Sequence, residues 1–225
     1  IAQIYIGLGD FQKALELLLK AHIIYEKELS GDHPGLALIY LNIAVSYANQ
    51  GDYENALVFH FKALAIKERT LPGNHLEIAF SYNDLALTMR NLGHYSRALE
   101  YQMKSLELFE KTQPSDLKDL ATLYINLGLI YGDLEDYQNQ LEYYSKSLAV
   151  YEKNLPVNDI EVARLYVEIA LAHYSLYNLQ QALEFDLKAL AIYEKELPAN
   201  HPDLVETYSN IAVSAAKSVF GNFIR

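Results

Sequence analysis

Cysteine is missing from this 225-residue chain altogether. Its absence excludes a disulfide framework, thiolate zinc sites and a cysteine nucleophile, and it is compatible with a reducing compartment. Basic residues are scarce: 18 Lys and Arg stand against 29 Asp and Glu, a formal net charge of −11. They form no cluster of the kind a phosphate backbone needs, so no nucleic-acid partner is expected. Long apolar runs are also missing. None approaches the roughly 20 residues of a membrane-spanning helix, so no membrane insertion is expected, and a cytoplasmic location is the matching expectation. No stretch reads as a signal peptide. The chain opens at Ile1 already inside a helical pattern, which reads as a segment of a longer protein.

Catalytic signatures are absent in the same way. There is no His-Glu-x-x-His spacing, no phosphate-binding glycine loop and no Gly-x-Ser-x-Gly elbow. Gly7-x-Gly9 is too short for a dinucleotide loop and sits where a helix turns. Of the seven histidines, His33, His75 and His201 recur in one column beside the repeat boundary. That recurrence favours a role in starting helices over a metal site. The other four, His22, His60, His94 and His173, are scattered. The expectation is a chain that is not an enzyme and takes no cofactor.

What is present is a period. Hydrophobic residues make up 51% of the chain, enough for a sizeable core. The sequence realigns on itself, without gaps, at a shift of 42 residues: 33–74 with 75–116, 117–158 and 159–200. Partial units occupy 1–32, as the end of one helix plus a second, and 201–225, as a last helix. The six prolines respect this register. Pro72, Pro114, Pro156 and Pro198 share one column and Pro34 and Pro202 another, so they bracket the junctions between units. Each unit reads as two helices. In 33–74 helix A covers about Leu36–Asn49 and helix B about Tyr53–Arg69, with apolar residues at three- and four-residue spacing. Gly51 can end A in a left-handed conformation and Asp52 can cap B; Gly9-Asp10 and Gly93 repeat the signal. Helices joined so tightly pack antiparallel, and a lone pair cannot bury its apolar face. The prediction is an all-α superhelical solenoid of stacked antiparallel pairs, about 11 helices in one continuous domain.

Small residues mark the close approaches. Ala14, Ala56, Ala98 and Ala182 form one B column, and Ala21, Ala63, Ser105, Ser147 and Ala189 another. Ala2, Ala44, Ala86, Gly128, Ala170 and Ala212 form an A column. Gln140 interrupts the first of these, which predicts looser packing in 117–158. Glu135 and Tyr177 stand where the turn glycine is expected, and beyond Ala212 the pattern decays. Val219 to Ile224 match no B helix, and Phe220, Phe223 and Ile224 could contact another copy.

Asn42-Ile43-Ala44-x-x-Tyr47, Gly51-Asp52-Tyr53-x-x-Ala56-Leu57, Ala63-Leu64 and the following proline together resemble the tetratricopeptide repeat. The resemblance covers essentially the whole chain. The longer unit, with Ala-Leu-Ala-Ile-Tyr-Glu-Lys-Glu-Leu-Pro-Ala-Asn-His-Pro at 189–202, looks like the subgroup found in kinesin light chains and in many scaffold proteins. It implies a right-handed superhelix whose A helices line a concave, ligand-binding face.

Helical spacing then selects the side chains that share that face. They are Leu41, Asn42, Val45 and Asn49 in the first full unit, and Phe80, Asn83, Asp84, Leu87 and Arg90 in the second. Ile125, Asn126 and Leu129 follow in the third, then Arg164, Val167, Glu168 and Leu171, then Asn210. Asn42, Asp84, Asn126, Glu168 and Asn210 fall in one column. Peptide-binding members of the resembled family use an Asn there, and an amide can pair with a peptide bond as both donor and acceptor. Asp84 and Glu168 accept only, so they would meet a basic ligand group or pair with Arg90 and Arg164 inside the groove. The converging Lys and Arg of a carboxylate clamp are absent. The expected role is a scaffold or adaptor that holds a linear peptide of a partner protein, with apolar anchors and mixed charge. The alternative is an architectural array that self-associates through its ends or regulates an effector domain outside this chain.

Overall fold

Three-residue turns set the architecture. Residues 8–10, 50–52, 92–94, 134–136 and 176–178 each join two helices. The middle residue is left-handed every time: φ is 75° at Gly9, 80° at Gly51 and 77° at Gly93, and also 60° at Glu135 and 58° at Tyr177. The third residue's N–H reaches back to close the helix end, as Asp52 N does to Tyr47 O at 3.0 Å and Asn178 N to His173 O at 2.9 Å. The same third residue starts the next helix. The carboxylates of Asp10, Asp52 and Asp136 each accept a backbone N–H three residues on, at 3.1–3.2 Å.

The computed structural model describes residues 1–28, 31–112, 117–154 and 160–223, without the side chains of 154 and 219–223. Among the described residues there are eleven helices and no strand. They are α1 (Ala2–Gly7), α2 (Phe11–Glu28), α3 (Pro34–Asn49), α4 (Tyr53–Thr70), α5 (Leu76–Asn91), α6 (Tyr95–Thr112), α7 (Lys118–Asp133), α8 (Tyr137–Asn154), α9 (Ile160–Ser175), α10 (Leu179–Glu196) and α11 (Pro202–Phe223). The starts of α3, α5, α7, α9 and α11 step by 42 residues, as do those of α2, α4, α6, α8 and α10. Beyond Ala212, where the sequence pattern fades, α11 simply runs on as helix to Phe223. The contact predicted for Phe220, Phe223 and Ile224 lies outside the described side chains.

The recurring histidines do start helices. Nδ1 of His33 accepts from Gly35 N at 3.0 Å, that of His75 from Glu77 N at 3.2 Å, and that of His201 from Asp203 N at 3.2 Å. An imidazole here does the work usually given to Ser or Asp.

The chain divides into two units, Ile1–Ser115 and Asp116–Arg225. In the first, Leu15, Leu18, Ile39, Ile43 and Ile66 knit α2, α3 and α4, while Leu64, Ile78 and Leu85 bind α4 to α5. In the second, Tyr144, Tyr151, Val162, Leu165 and Ile169 join α8 to α9, and Ala163, Ala189, Ile192, Tyr193 and Leu204 join α9, α10 and α11. The small columns sit at the closest approaches: Ala14, Ala56, Ala98 and Ala182 are fully buried, as are Ala63 and Ala189. Where the column carries serine, the hydroxyl donates to the facing backbone. Ser105 reaches Ala79 O at 2.7 Å and Ser147 reaches Ala121 O at 3.0 Å.

The looser packing expected at Gln140 is not what the structure shows. Gln140 and Tyr144 are both buried. Each large side chain lies against a glycine on α7: Tyr144 fills the space beside Gly128 and Gln140 the space beside Gly132, so a methyl group at either glycine would collide. The excess volume on α8 is offset by volume missing from α7, so both large side chains are buried at the seam.

Candidate functional site

Arg164, Val167, Glu168 and Leu171 are spaced to share one side of α9, and the structure brings all four to one cavity of about 220 Å³. Tyr193 of α10 and Asp203, Glu206 and Thr207 of α11 complete the lining. Arg164 bridges the two sides: Nη1 lies 3.1 Å from Glu161 Oε1 and Nε 3.5 Å from Asp203 Oδ2. Exposed pairs of this kind contribute little stability, about 0–1 kcal/mol, but they fix where the guanidinium sits. The expected alternative, a pairing of Glu168 with Arg164, is replaced by a hydrogen bond that Glu168 Oε2 accepts from the Tyr144 hydroxyl at 3.3 Å. Leu171 is 38% exposed, an apolar side chain open to a visitor.

A second cavity of about 140 Å³ adjoins the first and shares Leu171. Its walls are Ala170, Leu171 and Tyr174 of α9 and Asn210, Val213 and Ser214 of α11, with Asp186 of α10. Asp186 is only 1% exposed, and no hydrogen bond reaches its Oδ1. Burial alone pushes its carboxyl from 3.8 up to about 7, because a charge held away from water is disfavoured. The side-chain nitrogen of Asn210 is likewise buried without a hydrogen-bond partner. Lys217 places its ammonium 4.5 Å from the centre of the Tyr174 ring, above this cavity's wall.

The remaining predicted residues are distributed differently. In the first unit Leu38 and Leu41 of α3 line a cavity of about 120 Å³, with Lys67 of α4 and Glu77 of α5. Lys67 is buried; its ammonium donates to Ser81 Oγ at 3.1 Å and Glu77 O at 3.3 Å, and lies 3.5 Å from the Glu77 carboxylate. Asn42 and Val45 are half-buried, and Asn49 donates its amide locally, to Val45 O at 2.8 Å. Phe80 packs on Phe109 with ring centres 6.2 Å apart. Asn83 accepts from the Gln102 amide at 3.1 Å. Asp84 is half-buried; burial raises its carboxyl to about 6, against the opposing pull of Lys67 and a hydrogen bond from Asn83. Leu87 and Arg90 are half-buried. In the second unit Ile125 and Leu129 pack into the core around Tyr144, and Asn126 is buried. The column drawn through Asn42, Asp84, Asn126, Glu168 and Asn210 therefore runs between helices as much as along an open face.

Reading A helices alone missed what lies beneath them. Lys67, Asp186 and Tyr193 of the B helices contribute as much to these cavities as the predicted residues do, and Thr207 of the last A helix joins them. A signal for Asp186 was present. It stands four residues after Ala182 and three before Ala189, both recognised as points of close approach, so helical geometry places it on the same buried side.

No group of three or more His, Cys, Asp or Glu among the described residues is arranged to hold a metal ion. No described helix is long and apolar enough to cross a membrane.

Comparison with known proteins gives a consistent picture. A family model described as tetratricopeptide repeat matches residues 1–69, 36–111 and 119–195. No curated protein matches the chain. Among solved structures, a Podosopora anserina protein described as a kinesin light chain, with nearly identical TPR-like repeats, superposes with a TM-score of 0.76 at 24% identity. That match covers 86% of this chain and 92% of the other. BtubC from P. vanneervenii gives 0.72 at 19% identity, covering 99% and 85%. A signal-transduction ATPase with a tetratricopeptide repeat sensor from Pyrococcus horikoshii gives 0.79 at 23% identity, covering 95% of this chain and 31% of that one. At these identities the likeness is one of fold.

Proposed function

Because this chain belongs to the tetratricopeptide repeat family, whose members generally serve as protein-interaction scaffolds, we propose that it holds an extended segment of a partner protein between α9 and α11. The observation that carries this reading is the convergence of Arg164, Val167, Glu168 and Leu171 on one open cavity that continues into a second past Leu171. An apolar side chain of the guest would anchor on Val167 and Leu171. Its polar groups would meet Arg164, Glu168 and Glu206, which present both signs of charge. No catalytic step is part of this reading.

Selection of peptides from a random display library on the intact chain tests it. Binders are then measured by fluorescence anisotropy against the native chain and Leu171→Glu. The groove reading expects affinity to fall about tenfold or more, since a charge would face the apolar anchor. Peptides bound equally by both proteins would place the binding surface elsewhere.

A second reading rests on a different observation. α1, the turn after it and α2 expose Ile4, Leu8, Ile23 and Ile24, each more than half accessible. Exposed apolar side chains at the first helix pair support packing against another helix pair or another copy. Light scattering over a concentration series tests self-association; a mass that stays monomeric throughout removes it.

A further inference from the structure

We propose that the cavity holding Asp186 and Asn210 receives one lysine or arginine residue of the bound peptide. The cationic head would donate to the Asp186 carboxylate, and the same residue's backbone carbonyl would accept from the Asn210 amide. The inference rests on the groove reading above and specifies which residue type the groove selects.

Two orphaned groups of opposite character line one cavity. Asp186 Oδ1 is an acceptor without a donor, and Asn210 Nδ2 is a donor without an acceptor. Buried polar atoms are rarely left so, and each costs free energy until a partner arrives. A guest that satisfies both must bring a donor and an acceptor together. A basic residue within a peptide does so, with its head group and its own carbonyl.

Charge narrows the choice. Asp186 is buried with no cation bonded to its Oδ1, so its ionised form disfavours an anionic guest and favours a cationic one. A metal ion is not suited to the site. One carboxylate, one amide and the Ser214 hydroxyl among alanine, leucine, valine and tyrosine supply too few oxygen ligands and too little negative charge for calcium or magnesium. Apolar walls suit the methylene stem of lysine or arginine, which packs against Ala170, Leu171, Tyr174 and Val213 while its head seeks charge. Lys217 already covers Tyr174, so the guest's head belongs at Asp186 rather than on that ring. A carboxyl displaced upward by burial is also one that an incoming cation would return toward its ordinary range.

The test uses small probes on the intact, isotope-labelled chain. N-acetyl-lysine N-methylamide, N-acetyl-arginine N-methylamide and the uncharged N-acetyl-norleucine N-methylamide are titrated separately, following the Asn210 side-chain NH₂ and the Asp186 carboxyl by NMR. At least one cationic probe is expected to saturate both signals in about the millimolar range, as suits a fragment of a ligand. The norleucine probe is expected to bind about tenfold more weakly, and Asp186→Asn to weaken the cationic probe by a similar factor. Equal binding of the norleucine and cationic probes overturns the proposal. So does the absence of any saturable shift. The norleucine comparison uses the native chain, so the result stands even if the variant does not fold. Failure here is separable from failure of the groove reading. Selected peptides that need Leu171 but ignore Asp186 would keep the groove and remove the basic pocket. Capped basic residues that bind through Asp186 when no peptide is selected would do the reverse.

Discussion

The two units solve one packing problem in opposite ways. Leu38, Leu41, Lys67 and Glu77 in the first unit occupy the repeat positions of Arg164, Val167, Tyr193 and Asp203 in the second. In both units the acidic residue at the start of the following A helix has a cation 3.5 Å away. In the first that cation is Lys67, rising from the B helix beneath. In the second it is Arg164, reaching across from the neighbouring A helix, and the place below is taken by a buried tyrosine. A similar exchange occurs one turn along. His60 and Asp84 stand where Asp186 and Asn210 stand, so the carboxylate moves from the A helix to the B helix. His60 is buried and its pKa is lowered to about 4 by desolvation and the nearby Lys67, so it is neutral near pH 7. Asp84 has Lys67 and Asn83 to ease its burial, whereas Asp186 has only burial acting on it. The lesson is that a repeat fold fixes where polar groups sit in the seam. It does not fix which helix supplies the charge: His60 Nδ1 in the first unit and Asp186 Oδ1 in the second are both buried without a bond, but only in the second is the unmet group at this position a carboxylate.

The largest expected effect comes from moving a residue between the units. Gly128→Ala installs the residue found at Ala86, but here it meets the Tyr144 ring. A loss of about 1–3 kcal/mol is expected in urea denaturation. Adding Tyr144→Gln, the residue found at Gln102, should recover part of it. No loss on Gly128→Ala would mean that α7 and α8 are less tightly matched than described.

Asp186→Asn should have a smaller effect that depends on pH. The folded carboxyl sits at about 7 against 3.8 for the free group, so between those values the folded state holds a proton that the unfolded chain has released. Stability from this group is therefore greatest at low pH and is lost as pH rises from about 4 to about 7. A shift of this size spans roughly 4 kcal/mol, and the buried Asn amide would keep an unsatisfied-group cost of about 1–3 kcal/mol, so the variant should lose that slope and be more stable than the native chain at pH 8 by about 1 kcal/mol or more. Denaturation midpoints of the two proteins across this window decide it. Parallel profiles would show that Asp186 is solvated or paired in solution.

The smallest effect concerns the turns. The second unit carries Glu135 and Tyr177 where the first has left-handed glycines. Glu135→Gly and Tyr177→Gly should each stabilise by about 0.5–1 kcal/mol, while Gly51→Ala should destabilise by a similar amount. Thermal melts of the three variants give the signs; destabilisation by both new glycines would show that chain entropy outweighs the strain.

Much of the architecture was legible in the residues. A 42-residue period, prolines confined to junctions and small residues recurring at close approaches each have a local cause, and the helix starts keep that step from Phe11 to Pro202. The groove was legible in part. Arg164, Val167, Glu168 and Leu171 converge because spacing along a single helix decides which side chains share a face. Asn126 shares the spacing of Glu168 and yet is buried where Glu168 is half-buried, because exposure depends on what the neighbouring helices place beside each.

Sequence alone determined that the chain is helical, where each helix turns and what step the repeats keep. These follow from φ preferences, proline geometry and apolar periodicity, which act over a few residues. Only the tertiary structure decided that Gly128 accommodates Tyr144, that Lys67 serves Glu77 and Ser81, and that Asp186 and Asn210 share a cavity with bonds unmade. Those outcomes depend on volume and charge from two or three helices at once, and no single stretch of chain contains that information.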